Sequence, residues 1–290
     1  MESWQPYVLT TRNVSVHSEN KIHDDREAKR YGFKGGLVPG TAVYAHMTRP
    51  VVARFGEAWL ARNSGVLTLL KPAYEGERLE VTVQPAAAGG DAAAPANPRA
   101  SGADAIAPGA NSRALRVSIA NAGREVLATL DSAMPDPLPA PDPLCRLVQP
   151  RTDAPRVPIG WDAVKVGEPL RALVWEPGVA QQEEWCGGVS DDLPVYRGPR
   201  APVHPGLIVQ AANRALGNHY VLKPWIHVGS RILTRGLLRV GQRVEVRAVP
   251  VERWEKKGHQ YFRVYVALLA QDEPLVEIWH TAIFTVRLAA

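Results

Sequence analysis

The chain repeats one unit, and this repeat limits the folds open to it more than any other feature. A Pro-Gly turn opens an apolar helical segment twice: Pro39-Gly40 before T-A-V-Y-A-H-M-T, and Pro205-Gly206 before L-I-V-Q-A-A-N-R-A-L. About 36 residues beyond each glycine, another glycine leads a strand of alternating apolar and polar residues. These are Gly76 in Y-E-G-E-R-L-E-V-T-V and Gly241 in R-V-G-Q-R-V-E-V-R-A. Each copy then closes with a hairpin, turning at Asn121-Ala122-Gly123 in the first and near Gln271-Asp272-Glu273 in the second. One apolar helix followed by several alternating strands has one good burial solution. An antiparallel sheet curls around the helix and covers its apolar sides. Two such α+β units lose their exposed edges by joining edge to edge, so that one chain imitates a dimer.

Two biased stretches divide the 290 residues. The first, at about 84–112, is rich in Ala, Gly and Pro, and its composition predicts a mobile loop. The second, 134–160, contains M-P-D-P-L-P-A-P-D-P-L and predicts an extended connector. The organisation expected is a first unit over 1–133, a linker over 134–160 and a second unit over 161–290. No run approaches the ~18 apolar residues of a membrane span, and the opening M-E-S-W-Q-P-Y lacks the marks of a secretory signal. Cys145 and Cys186 form neither a metal spacing nor a disulfide framework, which fits a reducing, cytoplasmic setting. The formal charge of +5 suits either an anionic ligand or a generic basic surface. No basic run with interleaved aromatics supports nucleic-acid binding.

The most informative local stretch runs from Ser18 to Gly40, where His23 precedes a short polar helix and then a glycine-rich turn. His17-Ser18-Glu19-Asn20-Lys21-Ile22-His23 resembles the G-D-x-N-P-[LIV]-H motif of the MaoC-like (R)-specific enoyl-thioester hydratases and dehydratases. The asparagine, the aliphatic residue and the histidine match; the glycine, the aspartate and the proline do not. The downstream Y-G-F-K-G-G-L-V-P-G also resembles the family pattern. In the second copy, Ser190-Asp191-Asp192-Leu193-Pro194-Val195-Tyr196 keeps the aspartate and proline, but tyrosine stands in place of histidine. The resemblance implies a double hot-dog fold and an acyl- or enoyl-thioester substrate of fatty acid metabolism, with coenzyme A or an acyl carrier as part of that substrate. It implies no separate cofactor and no metal. The tyrosine-bearing copy looks like a non-catalytic half.

Hydrating an enoyl thioester requires a base for water, a proton for the α-carbon and stabilisation of the developing enolate oxygen. His23 is the residue suited to the base, because its ordinary pKa lies near neutrality. The Gly40 amide, at the positive end of the helix after Val38-Pro39, is suited to the enolate oxygen, and Gly206 offers the same geometry in the second copy. Asn20 is expected to steady the loop. Ser18 stands where the family carries its aspartate; it can hold a water but cannot take a proton, and Glu19 faces away from it in an extended segment. Val38, Pro39, Gly206, Asp191 and Tyr196 are the expected substrate contacts. Asp24 and Asp25 read as helix caps, and Tyr44 and His46 as core or interface residues. Arg30, Lys34, Arg197 and Arg200 flank the two turns and could meet a phosphate-bearing carrier or only solvent. The expected activity is hydration or dehydration of a thioester. A hot-dog thioester hydrolase and a non-catalytic thioester-binding protein remain as alternatives, and the double unit could stand alone or pair as a homodimer.

Overall fold

The alternating segments of the first unit form strands with their apolar residues turned to the core. In a computed structural model, which describes residues 4–86 and 114–288, the first unit contains β1 (Tyr7–Thr10), α1 (Asp25–Arg30), α2 (Gly40–Phe55), α3 (Glu57–Ala61), β2 (Asn63–Leu69), β3 (Arg78–Pro85), β4 (Leu115–Asn121) and β5 (Val126–Ala133). Leu79, Val81 and Val83 of β3 are buried while Arg78 and Glu80 are exposed, as a period of two requires. The Ala/Gly/Pro stretch at 84–112 lies, from 87 onward, outside the described residues.

The second unit contains β6 (Val157–Pro158), β7 (Leu173–Trp175), α4 (Val179–Gly188), α5 (Pro205–His219), β8 (Tyr220–Val221), β9 (Ile226–Thr234), β10 (Val244–Lys256), β11 (His259–Ala270) and β12 (Glu273–Thr285). Gln271 and Asp272 turn the last hairpin with φ of 51° and 63°, the left-handed pair that suits a two-residue connection between twisted strands. In the first unit, the Asn121 side chain accepts from the amides of Gly123 and Glu125 and closes the corresponding turn.

Among the described residues, ten strands form one sheet in the order β1-β3-β4-β5-β2-β9-β12-β11-β10-β7. The seam between the units is the antiparallel pair β2–β9, in register from Asn63↔Thr234 to Thr68↔Gly229. Gly229 is required there, since a Cβ would lie 2.7 Å from the Leu67 carbonyl oxygen. Helices α2 and α5 pack against one another inside the curl of the sheet. One hydrophobic core runs through both, from Met47 and Val51 to Val209, Ala212 and Leu216. Among the described residues, no helix is long and apolar enough to cross a membrane.

The proline-rich stretch between β5 and β7 is strapped to the outer face of the second unit's sheet. Buried Glu277 accepts the Asp142 amide at 2.8 Å and the Tyr265 hydroxyl at 2.8 Å, and pairs with Arg235 at 2.5 Å. Arg235 also donates to the carbonyls of Pro139 and Ala140. Cys145, on the inner side of this strap, is buried against Tyr265, Ala267 and Leu269, and Cys186 is buried in the main core.

Candidate active site

His23 closes a single 3-10 turn over Lys21–His23, and its position is fixed on every side. Asp24 caps α1 by accepting the Glu27 amide at 2.9 Å. Asp25, expected as a second cap, instead accepts the Gly36 amide at 2.7 Å and so folds the glycine turn back onto the histidine. That return passes so close that a Cβ on Gly36 would lie 2.1 Å from the His23 carbonyl oxygen. The same carbonyl accepts from the Asn13 side chain at 2.9 Å. Beneath the turn, Ile22, Ala28 and Leu37 form a small core of their own with Tyr31, Phe33, Tyr74 and Ile226 packed against it.

The tautomer of His23 follows from its neighbours. Nδ1 lies 2.6 Å from the Leu37 carbonyl oxygen. A carbonyl only accepts, so Nδ1 carries the proton. Nε2 is therefore the bare nitrogen, 3.4 Å from the Asn20 side-chain amide. Burial pushes the imidazole pKa below its usual 6.5, against the pull of the Leu37 carbonyl, and this keeps the ring neutral.

Asn20 does more than steady a loop. It caps the His23 turn, donates to the Trp225 carbonyl at 2.9 Å and accepts the Trp225 amide at 3.1 Å. It thereby ties the motif of the first unit to the chain just ahead of β9 in the second. The Ser18 hydroxyl donates to the Asn20 carbonyl at 3.2 Å. Glu19 is exposed and engages Arg156 through both carboxylate oxygens, at 2.8 and 2.9 Å, so its carboxylate is directed to the surface.

His23 lines a cleft of about 730 Å³, within the range of small-ligand sites. Arg12, His23 and Asp24 lie along one wall; Glu184, Gln210 and Arg214, from α4 and α5, lie along the other. The cleft therefore lies between the motif of one copy and the central helix of the other. Gly40 is not among its walls. Val38 and Pro39 are buried, with the Val38 side chain in the main core, and neither lines the cleft. The link from His23 to the start of α2 runs through Leu37, whose carbonyl holds the imidazole. Gly40 itself is half-buried. A Cβ there would meet Leu69 at 2.4 Å and His227 Nδ1 at 2.7 Å, so its glycine serves packing against those two side chains.

The second copy is arranged differently. The position matching Val38 is His204, fully buried. Its Nδ1 accepts the Gly206 amide at 3.0 Å and the Trp185 indole N–H at 3.1 Å. His204 Nε2 therefore donates to Asp191 at 3.2 Å. The Gly206 amide, expected to face a ligand, is thus capped by a side chain of the same chain, and a Cβ at Gly206 would lie 2.6 Å from the Trp185 ring. Asp191 also accepts the Leu193 amide and lies 3.6 Å from Arg49 Nε; Arg49 pairs with Asp192 at 2.5 Å. Tyr196 is buried with its ring 4.5 Å from His204, and burial raises its phenol far above the usual 10. This cluster seals the second motif rather than opening it. The H-P-G spelling at 204–206 was the sequence signal for a side-chain cap, since histidine precedes the helix only in that copy. Trp225, Glu184 and Arg214 carry no local motif and join the site only through tertiary packing.

These features define a double hot-dog fold: two helices, each wrapped by half of one continuous antiparallel sheet. No family model matches the chain, and no curated protein matches it. Solved structures do. A MaoC domain protein from Chloroflexus aurantiacus aligns with a TM-score of 0.61 and 12% identity, over 99% of this chain and 96% of that one. A conserved hypothetical protein from Mycobacterium tuberculosis, described as having a double hotdog fold, aligns with a TM-score of 0.58 and 11% identity over 98% and 96%. A MaoC-like dehydratase aligns with a TM-score of 0.56 and 13% identity over 99% and 98%.

Proposed function

We propose that this protein binds an acyl or enoyl thioester in the His23 cleft and hydrates it, or dehydrates the hydroxyacyl product. The observation that carries this reading is the state of His23: a neutral imidazole, protonated on Nδ1 by its bond to the Leu37 carbonyl, with Nε2 unprotonated under a long 3.4 Å contact from the Asn20 amide and the side chain lining a ligand-sized cleft. In hydration, Nε2 takes a proton from water as the water oxygen adds to the β-carbon. Electrons of the double bond move toward the thioester oxygen, and the positive groups on the cleft walls, Arg12 and Arg214, offset the charge. The imidazolium then returns its proton to the α-carbon, so one base serves both transfers. This fits a site in which Ser18 stands at the motif aspartate and Glu19 is held by Arg156. Arg12 and Arg214 at the cleft suit an anionic carrier such as coenzyme A. Two free, buried cysteines accord with work in a reducing cytoplasm.

A single base is also all that a thioester hydrolase needs, and that same feature favours hydrolysis as the second reading. Crotonyl and butyryl thioesters separate the two. A hydratase consumes only the double bond of the first; a hydrolase releases free thiol from the second. His23→Ala is expected to lower crotonyl hydration about 10²–10⁴-fold. An unchanged rate in that variant would remove the enzymatic reading.

A further inference from the structure

The floor of the His23 cleft holds a tryptophan that the second motif keeps in place. Trp185 and Leu207 line the cleft yet are only 7% and 2% exposed, which sets them at its floor. Arg12, Glu184 and Arg214 are exposed and form its rim. Trp185 comes from α4, where Gln181 and Gly188 share its face at helical spacing and also line the cleft. A Cβ on Gly188 would lie 2.9 Å from Val14 Cγ1, so the last turn of α4 packs directly on the first unit at the cleft wall. Among the described residues, Val14, Val16, Trp185 and Leu207 are the apolar side chains of the cleft, and Val16 is exposed. Apart from His23 and Gly188, the remaining lining residues are charged or carry side-chain amides. The apolar patch is therefore small. An alkyl tail longer than this patch would lie against polar groups and strip them of water, which is unfavourable.

The Trp185 ring is held from two sides. Its indole N–H donates to His204 Nδ1 at 3.1 Å, and His204 Nε2 donates to Asp191 at 3.2 Å. Asp191 in turn lies 3.6 Å from Arg49 Nε on α2. His204 and Asp191 are buried, where such a chain of hydrogen bonds is stronger than in water. On its other side the ring meets the start of α5, since a Cβ on Gly206 would stand 2.6 Å from it. The sealed cluster of the second motif thus ends on a side chain that lines the cleft of the first.

We propose that Trp185 is the end wall of the acyl site and restricts the substrate to short-chain acyl thioesters, with His204 and Asp191 acting as positioning residues for that wall. This rests on the thioester reading of the cleft. It also gives the second motif a role: its aspartate, with the histidine ahead of α5, shapes the site that His23 serves.

The test compares kcat/KM of the full chain for crotonyl-, hexenoyl- and octenoyl-coenzyme A. The natural protein is expected to prefer crotonyl over octenoyl by about tenfold or more. Trp185→Ala should reverse this order, with longer substrates gaining about fourfold for each methylene group admitted. His204→Asn keeps a side chain able to cap α5 but is shorter than the reach to the indole, and it should shift the octenoyl-to-crotonyl ratio in the same direction by a smaller factor. Loss of folded protein alone lowers all three substrates equally and leaves that ratio unmoved. An unchanged ratio in either variant overturns the proposal, as does a natural protein that takes octenoyl as well as crotonyl; the thioester reading survives each of these results. A natural protein that turns over none of the three overturns both. If Trp185→Ala does not fold, Trp185→Leu replaces it, with the same shift in ratio expected and the same unchanged ratio refuting the proposal.

Discussion

At the scale of single residues, the decisive fact is which nitrogen of His23 carries the proton. The Leu37 carbonyl at 2.6 Å settles it, and burial then lowers the pKa below 6.5. Because the neutral ring is the base, activity should rise with pH through that lowered pKa and stay level above it. The acid limb of kcat/KM for crotonyl hydration is therefore expected to have its midpoint below 6.5, in a pH titration of the purified protein. A midpoint well above 6.5 would mean that a nearby carboxylate, not burial, governs the imidazole. The histidine and asparagine of this site were legible from the motif. What Asn20 holds was not, because Trp225 lies 205 residues away and only the folded sheet brings it near.

At the scale of elements, close backbone approaches and one buried carboxylate set the positions of the pieces. Gly36 is the clearest case: the glycine turn presses on the His23 carbonyl, and a methyl group would be only 2.1 Å from it. Gly36→Ala should therefore displace the turn, destabilise the protein by about 1–3 kcal/mol and reduce activity beyond what the loss of folded protein explains. Thermal unfolding together with specific activity of the folded fraction would show this; a variant with unchanged melting and activity would mean the turn is looser than described. The proline-rich strap depends in the same way on Glu277, which is fully buried and joins Arg235, Tyr265 and the Asp142 amide. Glu277→Ala leaves Arg235 without its carboxylate, and its expected cost is about 3–5 kcal/mol. Denaturant unfolding checks this, with a loss under 1 kcal/mol counting against a clamp. The connector was readable from its prolines, but its anchoring was not, since no local pattern marks a carboxylate on a distant strand as its partner.

At the scale of the whole molecule, the buried histidines make stability depend on pH. His46 and His227 are held at about 4, and His280 falls well below its usual 6.5, in each case chiefly through burial. Below pH 6.5 the unfolded chain takes up protons that the native protein refuses. Stability is therefore complete above 6.5 and declines as pH falls toward 4, by up to about 3 kcal/mol for each of His46 and His227, with His280 acting in the same direction. Urea midpoints measured at pH 7.5 and pH 5, above the range of ordinary carboxylates, should show the drop; equal midpoints would contradict neutral burial of these rings.

The sequence by itself determined the repeat, the two helices behind their Pro-Gly turns, the alternation of the strands and the histidine of the motif. Those features depend on neighbours close along the chain: a period of two, a helix start, a turn. The tertiary structure alone decided that the cleft pairs the motif of one copy with the central helix of the other. It also decided that His204 caps the second helix start while no side chain caps the first, and that Leu69 and His227 pack against Gly40 there. These depend on contacts between residues far apart in the chain. Two copies with nearly the same local pattern can differ there, because a single side chain at the helix entrance, valine in one and histidine in the other, determines whether a side chain caps the helix.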